Sequence, residues 1–178
     1  MLAETKSEKR LTGIAVVENQ ETEAQIERLR AILVNLQYEG KYRLGKNLKE
    51  TGETLALLQR HLTQHILREE SFLFPFFIKH LPKVEPLVFF LSSEHKKLKS
   101  HLQNFKVLLK ISSKTANYSN HSLLIEKGIY LTCLLRDHFQ EESKILYAVA
   151  DKELRSDEKR LLAKMLGRDG GDENGRSL

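Results

Sequence analysis

Residues 61–75, HLTQHILREESFLFP, decide how this chain folds. His65 and Glu69 are four residues apart, a rotation of about 40° around an α-helix, so both side chains project from one face. That face continues as Phe72 and Phe76, which predicts that the imidazole and the carboxylate point into an apolar core. Burying an unpaired charge is costly, and a metal cation is a partner that satisfies several such groups at once.

A second copy of this element lies at residues 138–147, HFQEESKILY. His138 precedes Glu142 by four residues, and the two residues follow His65 and Glu69 by the same 73 positions. The apolar residues that trail each pair also correspond. Two copies in register indicate a repeated functional element, and di-iron sites in four-helix bundles use paired carboxylate and histidine ligands that face inward.

The fold class follows from apolar residues that recur at helical spacing through most of the chain. One predicted helix runs from about Glu18 to Tyr38, and the next runs from a capping box at Asn47 and Glu50 to Pro75. Two further long helices and a short fifth one, which Ser156 caps and which ends at Gly167, complete the pattern. We therefore predict an all-α, antiparallel up-down four-helix bundle with a short additional C-terminal helix.

The third predicted helix supplies another candidate ligand. His95 lies in its inward stripe with Leu91 and Leu98 on either side, so a third imidazole is expected in the core. The length of 178 residues and the 40% hydrophobic content fit one domain. We expect residues 1–17 to form a flexible arm, residues 18–166 to form the bundle, and residues 167–178 to form a disordered tail.

Composition and charge exclude several classes of function. The net charge is +5, but lysine and arginine are interleaved with glutamate and form no basic stripe, so no nucleic-acid partner is predicted. The single cysteine, Cys133, allows neither a disulfide framework nor a cysteine-rich zinc site. No segment resembles a signal peptide, and no apolar run approaches the roughly 18 residues that span a bilayer. We predict a cytoplasmic protein that does not insert into membranes.

Other ionisable residues near the motifs are expected outside the centre. Glu70 and Glu141 are rotated by about 100° from the neighbouring ligand candidates, so a solvated position or a contact with a ligand is predicted for them. His80, His101 and His121 fall off the apolar stripes or near helix ends. We expect these three histidines at the surface.

The order of the inward groups resembles the hemerythrin-like (HHE cation-binding) domain family. The resemblance covers about residues 18–153 and is carried by HxxxEE followed by FLFP, by SSEH, and by HFQEE followed by ILY. It implies a bundle with a non-haem di-iron centre whose two irons are oxo- or hydroxo-bridged. In that centre Glu69 and Glu142 bridge the irons, while His65, His95 and His138 are terminal ligands.

The same resemblance implies a function. We expect a protein that binds dioxygen, nitric oxide, peroxide or a related small oxidant, in sensing, storage or detoxification. Two alternatives stay open at this point. One is an iron donor or repair protein for damaged iron–sulfur centres, and the other is a metal-free helical interaction module.

One departure from the family concerns the first helix, which usually carries a further histidine. This chain has no histidine before His61, and the inward positions of its first helix lie near Asn19, Thr22 and Glu23. The spacing HxxxHxxxE places His61, His65 and Glu69 on consecutive turns of one helix face. We predict that His61 is the sixth ligand. The alternatives are Glu23, or a water molecule in an open position with His61 lining the access path.

Overall fold

A computed structural model of the protein describes residues 11–38, 43–114 and 118–169. These ranges are helical apart from short connections, and they contain no strand. The first helix, α1, spans Leu11–Tyr38. The second, α2, spans residues 44–80 without a break, as an α-helical segment Leu44–Arg68, a π-helical turn Glu69–Leu73 and a second α-helical segment Phe74–His80.

The second half of the chain repeats this plan. A 3₁₀ turn, Pro82–Val84, leads into α3, Glu85–Ser112. Helix α4 spans residues 118–153 and again contains a π-helical turn, in the order Tyr118–Glu141, Glu142–Tyr147 and Ala148–Glu153. A last helix, α5, spans Ser156–Asp169. The all-α fold class is therefore confirmed, and no helix in the described ranges is long and apolar enough to cross a membrane.

The outer boundaries differ from the predicted ones. Helix α1 begins at Leu11, so the predicted arm of residues 1–17 overlaps it from that residue on. The sequence offers a reason, since Leu11, Ile14 and Ala15 already keep the i, i+3, i+4 spacing of an apolar helix face. Helix α5 ends at Asp169 and overlaps the start of the predicted tail. The remaining parts of the arm and tail, residues 1–10 and 170–178, lie outside the described residues.

Two predicted helix caps are wrong. The predicted capping box at Asn47 does not start α2, because the helix begins at Leu44 and Asn47 lies buried inside it. Leu44 and Leu48 both pack against the core, which favours this earlier start. At the start of α5 the cap is made by Glu158 instead of Ser156. The backbone N–H of Arg155 donates to Glu158 Oε2 over 2.9 Å, which is the half of a capping box that the third helical residue contributes.

The four long helices pack around a common core. Helix α1 contacts α2 and α4, and α3 contacts the same two helices, so the four form a closed bundle. Buried apolar side chains of the described residues form two separate clusters. The first contains Leu29, Leu33, Leu58, Leu62, Leu98, Phe105, Leu131, Leu135 and Phe139, and the second contains Leu73, Phe74, Phe77, Leu91, Leu146, Tyr147, Leu154 and Leu162.

The predicted apolar stripes are confirmed up to the two motif glutamates and fail just beyond them. Phe72 and its counterpart in the second copy, Ile145, are 40% and 47% exposed, whereas Phe76, which was also predicted inside, is buried. The next residues, Leu73 and Leu146, are buried instead. Each π-helical turn holds one residue more than an α-helical turn, so it moves the inward face along the chain by one position.

Gly128 of α4 lies where the packing of the bundle can be tested by a substitution. A methyl group on this residue would lie 2.5 Å from Leu33 Cδ1 and 2.8 Å from Phe105 Cε2, and both side chains are buried. Overpacking of this kind costs about 1–3 kcal/mol, which exceeds the roughly 1 kcal/mol that alanine gains over glycine inside a helix. We expect Gly128→Ala to lower the free energy of unfolding measured in urea.

Gly52 of α2 is the matched control. A methyl group there would meet only Leu109 Cδ2, at an ordinary contact distance of 3.8 Å. Gly52→Ala should therefore raise the free energy of unfolding by up to about 1 kcal/mol. The packing assignment is wrong if both substitutions shift the stability in the same direction.

Candidate metal centre

Five of the predicted ligand residues come together between the two apolar clusters. Helix α2 supplies His65 and Glu69, α3 supplies His95, and α4 supplies His138 and Glu142. One ligand atom of each residue lies within 4.8 Å of the corresponding atoms of the other four. The His65 side chain is 10% exposed and the other four are at most 1% exposed. The layer is therefore closed to bulk water.

The ring nitrogens of the three histidines face the carboxylate oxygens. His138 Nε2 lies 2.8 Å from Glu142 Oε1, and His95 Nε2 lies 3.3 Å from Glu69 Oε2. His65 Nε2 lies 3.4 Å from Glu69 Oε2 and 3.4 Å from Glu142 Oε2. Each glutamate therefore contacts histidines from more than one helix.

The other ring nitrogen of two histidines is held by a carboxylate outside this group. His95 Nδ1 donates to Glu70 Oε1 over 2.9 Å, and His138 Nδ1 donates to Glu94 Oε2 over 3.0 Å. An ionised carboxylate can only accept a hydrogen bond, so Nδ1 carries the proton and Nε2 of the neutral ring presents a lone pair to the centre. Carboxylates in this position orient histidines that bind metals in proteins.

Six atoms of the centre are buried without a hydrogen-bond partner in the described part of the chain. They are His65 Nε2, His95 Nε2, His138 Nε2, Glu69 Oε2, Glu142 Oε1 and Glu142 Oε2. In the neutral histidine tautomer these atoms present lone pairs to one another, which repel unless a cation lies among them. Imidazole nitrogen and carboxylate oxygen are both good ligands for divalent transition metals. The residues therefore fit a metal cation.

The electrostatics of the centre favour positive charge. Burial alone would lower the pKa of His65, but the negative charges of Glu69 and Glu142 outweigh it and raise this pKa to about 9. Burial would likewise lower the pKa of His95, but the carboxylates of Glu142 and Glu69 that face its Nε2 outweigh burial and raise this pKa to about 9. Both shifts show that the carboxylates create a site where a cation is stabilised.

Tyr147, the last residue of the second motif HFQEESKILY, also contacts the centre. The hydroxyl of Tyr147 donates to Glu69 Oε1 over 2.5 Å. Burial and the nearby charge of Glu69 raise the pKa of Tyr147 well above its ordinary value, so the hydroxyl keeps its proton. Tyr147 lies five residues after Glu142 and reaches the centre because a π-helical turn brings residues five apart to the same side.

Of the other residues near the centre, some contact its histidines and others lie outside the group of five. Glu70 is confirmed as a contact of a ligand candidate, whereas Glu94 was missed although it directly precedes His95. Glu23 is exposed and lies outside the group of five. His61 also lies outside this group, and its Nδ1 is buried without a hydrogen-bond partner in the described ranges. Its role as a sixth ligand stays a prediction.

Three histidines lie away from the centre, but all three are partly buried, whereas they were expected at the surface. His80 is half-buried and its Nδ1 lies 3.0 Å from Glu158 Oε1, which links α2 to α5. His101 makes an edge contact with Tyr130, and His121 Nε2 lies 3.3 Å from the carbonyl oxygen of Ser112. None of the three belongs to the group that could hold a metal among the described residues.

A protein-family model described as the hemerythrin HHE cation binding domain matches residues 13–150 of the chain. This range contains all five residues of the centre and both π-helical turns. No curated protein matches the chain.

Glu70 and Glu94, the carboxylates that accept from the Nδ1 atoms of His95 and His138, allow a prediction about metal affinity. Removal of the Glu94 side chain leaves His138 Nδ1 without its acceptor, so the ring can rotate or change tautomer. We expect Glu94→Ala to weaken iron(II) binding by about 10- to 100-fold in an anaerobic titration. Glu94→Gln, which keeps an acceptor oxygen, should lose less. Glu126→Ala, which removes an exposed glutamate paired with Lys127 on α4, should leave the affinity unchanged and serves as the control.

Proposed function

The chain belongs to the hemerythrin family of HHE cation-binding domains, and we propose that it is a non-haem iron protein that binds a small oxidant or diatomic ligand. Dioxygen, nitric oxide and peroxide are the candidate ligands, in sensing, storage or detoxification. The observation that carries the proposal is the set of six buried donor atoms that have no hydrogen-bond partner in the described residues and meet in one closed layer.

The chemistry of the donors supports iron over other common metals. Magnesium and calcium prefer shells made of oxygen atoms, and structural zinc sites are mostly built with cysteine. Here three imidazole nitrogens are combined with two carboxylates, and Cys133 is not part of the group. Histidine and carboxylate ligands together are the usual environment of non-haem iron that reacts with oxygen species.

In this proposal the side chains around the centre have different roles. Bound iron supplies a coordination position for the small ligand and a change of oxidation state. Glu70 and Glu94 fix the tautomers of His95 and His138, so that both Nε2 atoms face the metal. Tyr147 holds a proton beside Glu69 Oε1. The apolar clusters on either side exclude bulk water from the layer.

For the bundle we propose the antiparallel up-down arrangement. Its support is the length of the connections, since α2 and α3 are joined by residues 81–84 and α3 and α4 by residues 113–117. Consecutive long helices also contact each other. Helices that are neighbours in space and joined by a few residues run antiparallel in bundles of this kind.

Iron content and ligand binding test the function together. Protein purified from iron-replete cells should contain iron, and anaerobic addition of nitric oxide should produce new visible absorption bands. His95→Ala removes a donor of the centre, so it should lose the iron and the bands. His101→Ala, a histidine on the same helix outside the group, is the matched control and should keep both.

The result also separates the alternatives. Protein that stays free of metal after anaerobic incubation with iron(II) would contradict the proposal and leave a metal-free interaction module. Iron that does not respond to nitric oxide, dioxygen or peroxide, but passes to an apo iron–sulfur acceptor, would instead indicate an iron donor. A His95→Ala protein with unchanged iron content would show that the metal binds elsewhere.

A further inference from the structure

We propose that a groove between α2 and α3 binds a fatty acid, with the apolar chain of the ligand on the groove floor and its carboxylate on lysines of the rim. The groove has a volume of about 420 Å³ and is lined by side chains from residues 48–59 and 106–114. Cavities of about 300–1,000 Å³ hold small ligands in proteins. None of the described lining residues belongs to the candidate metal centre, so this site is separate from the proposed function.

The floor of the groove is apolar and open because α2 carries two small residues one turn apart. Gly52 and Ala56 both line it, and a methyl group on Gly52 would meet only Leu109 Cδ2, at 3.8 Å. Leu48 and Leu55 complete the apolar lining on the side of α2. The groove extends over about three turns of this helix, or roughly 15 Å. Its shape therefore suits an elongated apolar chain.

The rim of the groove carries positive charge. Four of its described lining residues are lysines and none is acidic, the lysines being Lys49, Lys106, Lys110 and Lys114. The sequence accounts for this imbalance, since residues 95–125 contain six lysines and no aspartate or glutamate, although both signs are interleaved over the chain as a whole. A cleft lined by one sign of charge concentrates ligands of the opposite sign. The rim therefore suits an anion.

Two of the four lysines are available to the anion. Lys110 and Lys114 are exposed, and neither ammonium group forms an ion pair in the part of the chain that the structure describes. Lys49 Nζ, by contrast, lies 3.9 Å from Glu53 Oε1 on its own helix. That pair is exposed, so it contributes little and competes weakly with a ligand. The carboxylate of the fatty acid is therefore placed beside Lys110 and Lys114, at the C-terminal end of α3.

Other classes of ligand match only part of this groove. Nucleotide bases stack on aromatic side chains, and no aromatic residue is among the described lining residues. An inorganic anion would leave the apolar floor in water, and a neutral apolar molecule would leave the lysines without a partner. A single apolar chain that ends in a carboxylate satisfies both the floor and the rim.

Titration calorimetry of the full chain with dodecanoate, below the concentration at which it aggregates, tests the proposal. Each buried methylene group strengthens binding by about fourfold, so decanoate, which is two methylene groups shorter, should bind about 15-fold more weakly. Dodecyltrimethylammonium has the same chain and a positive charge, and it should not bind measurably because the lysines repel it. Equal binding of the anionic and the cationic amphiphile overturns the proposal.

The floor is tested by Gly52→Leu, whose side chain would occupy the groove. It displaces several methylene groups of the ligand, so the affinity for dodecanoate should fall by more than about tenfold. Gly45→Leu is the matched control, because Gly45 lies on the same helix, has open space around it and is not among the described lining residues. A Gly52→Leu protein that keeps its helices by circular dichroism and binds like the parent contradicts the assignment.

The rim is tested by the double substitution Lys110→Gln with Lys114→Gln, which affects only exposed side chains and does not depend on the folding of Gly52→Leu. The affinity should fall by about two- to fivefold for each lysine removed. Lys96→Gln with Lys97→Gln removes the same charge from exposed positions of α3 outside the groove, and should leave the affinity unchanged. Equal weakening by both double variants would indicate general attraction and overturns the site.

Vesicles of phosphatidylcholine and phosphatidylglycerol separate a free fatty acid from a lipid surface as the source of the anion. The proposal expects binding of dodecanoate that Gly52→Leu removes, and no binding to vesicles that depends on Gly52. Protein that sediments with the vesicles regardless of Gly52→Leu, and does not bind dodecanoate, overturns the fatty-acid site and shows that the lysines meet a membrane surface. Iron content, which depends on other residues, is unaffected by either result.

Discussion

The burial of two carboxylates beside three imidazoles is the constraint on which the rest of this structure depends. Apolar clusters close the layer from both sides, so water cannot solvate the charges. A pair of buried anions is stable only with compensating positive charge, which protons on His65 and His95 or a metal ion can supply. Glu70 and Glu94 suit His95 and His138 to a metal, because they hold the proton of each neutral ring at Nδ1 and leave its Nε2 with a lone pair.

The two π-helical turns are the means by which the backbone meets this constraint. Each turn begins at a glutamate of the centre, Glu69 or Glu142. Pro75 accounts for an irregularity in the first turn, since its missing N–H leaves one carbonyl without an α-helical partner. The second turn contains no proline, so proline is not the common cause. Both turns instead carry an aromatic side chain, Phe74 or Tyr147, back to the buried layer, and π-helical turns often lie at functional sites.

The inward positions of most helices could be predicted from the sequence, because the buried face of a helix recurs every 3.6 residues. The inward positions of His95, Leu98 and Leu135 are of this kind. The predicted inward positions of Phe72 and Ile145 are wrong for one reason. Each follows a glutamate that begins a π-helical turn, and the extra residue in that turn breaks the 3.6-residue repeat. The paired spacing of histidine and glutamate likewise found four residues of the centre, and the inward stripe of the third helix found the fifth, His95.

The contacts of Glu94 and Tyr147 could not be found in this way, because each depends on how one helix is positioned against another. Glu94 lies next to His95 in the chain but bonds His138, and Tyr147 follows Glu142 but bonds Glu69. A single sequence shows neighbours along a helix and not partners across the bundle. A glutamate beside a ligand candidate and a tyrosine in an otherwise apolar continuation were the only signals present.

The difference between the two copies makes the two carboxylates chemically unequal. Burial alone would raise the pKa of Glu142, but the charge of His65 and the close contact with His138 hold it well below its usual range. Burial and the charge of Glu142 raise the pKa of Glu69, which also accepts the hydroxyl of Tyr147. Glu142 is therefore the more readily ionised of the two carboxylates. A repeated backbone element has thus produced an asymmetric centre, in which the charged groups that face each carboxylate decide how readily it carries negative charge.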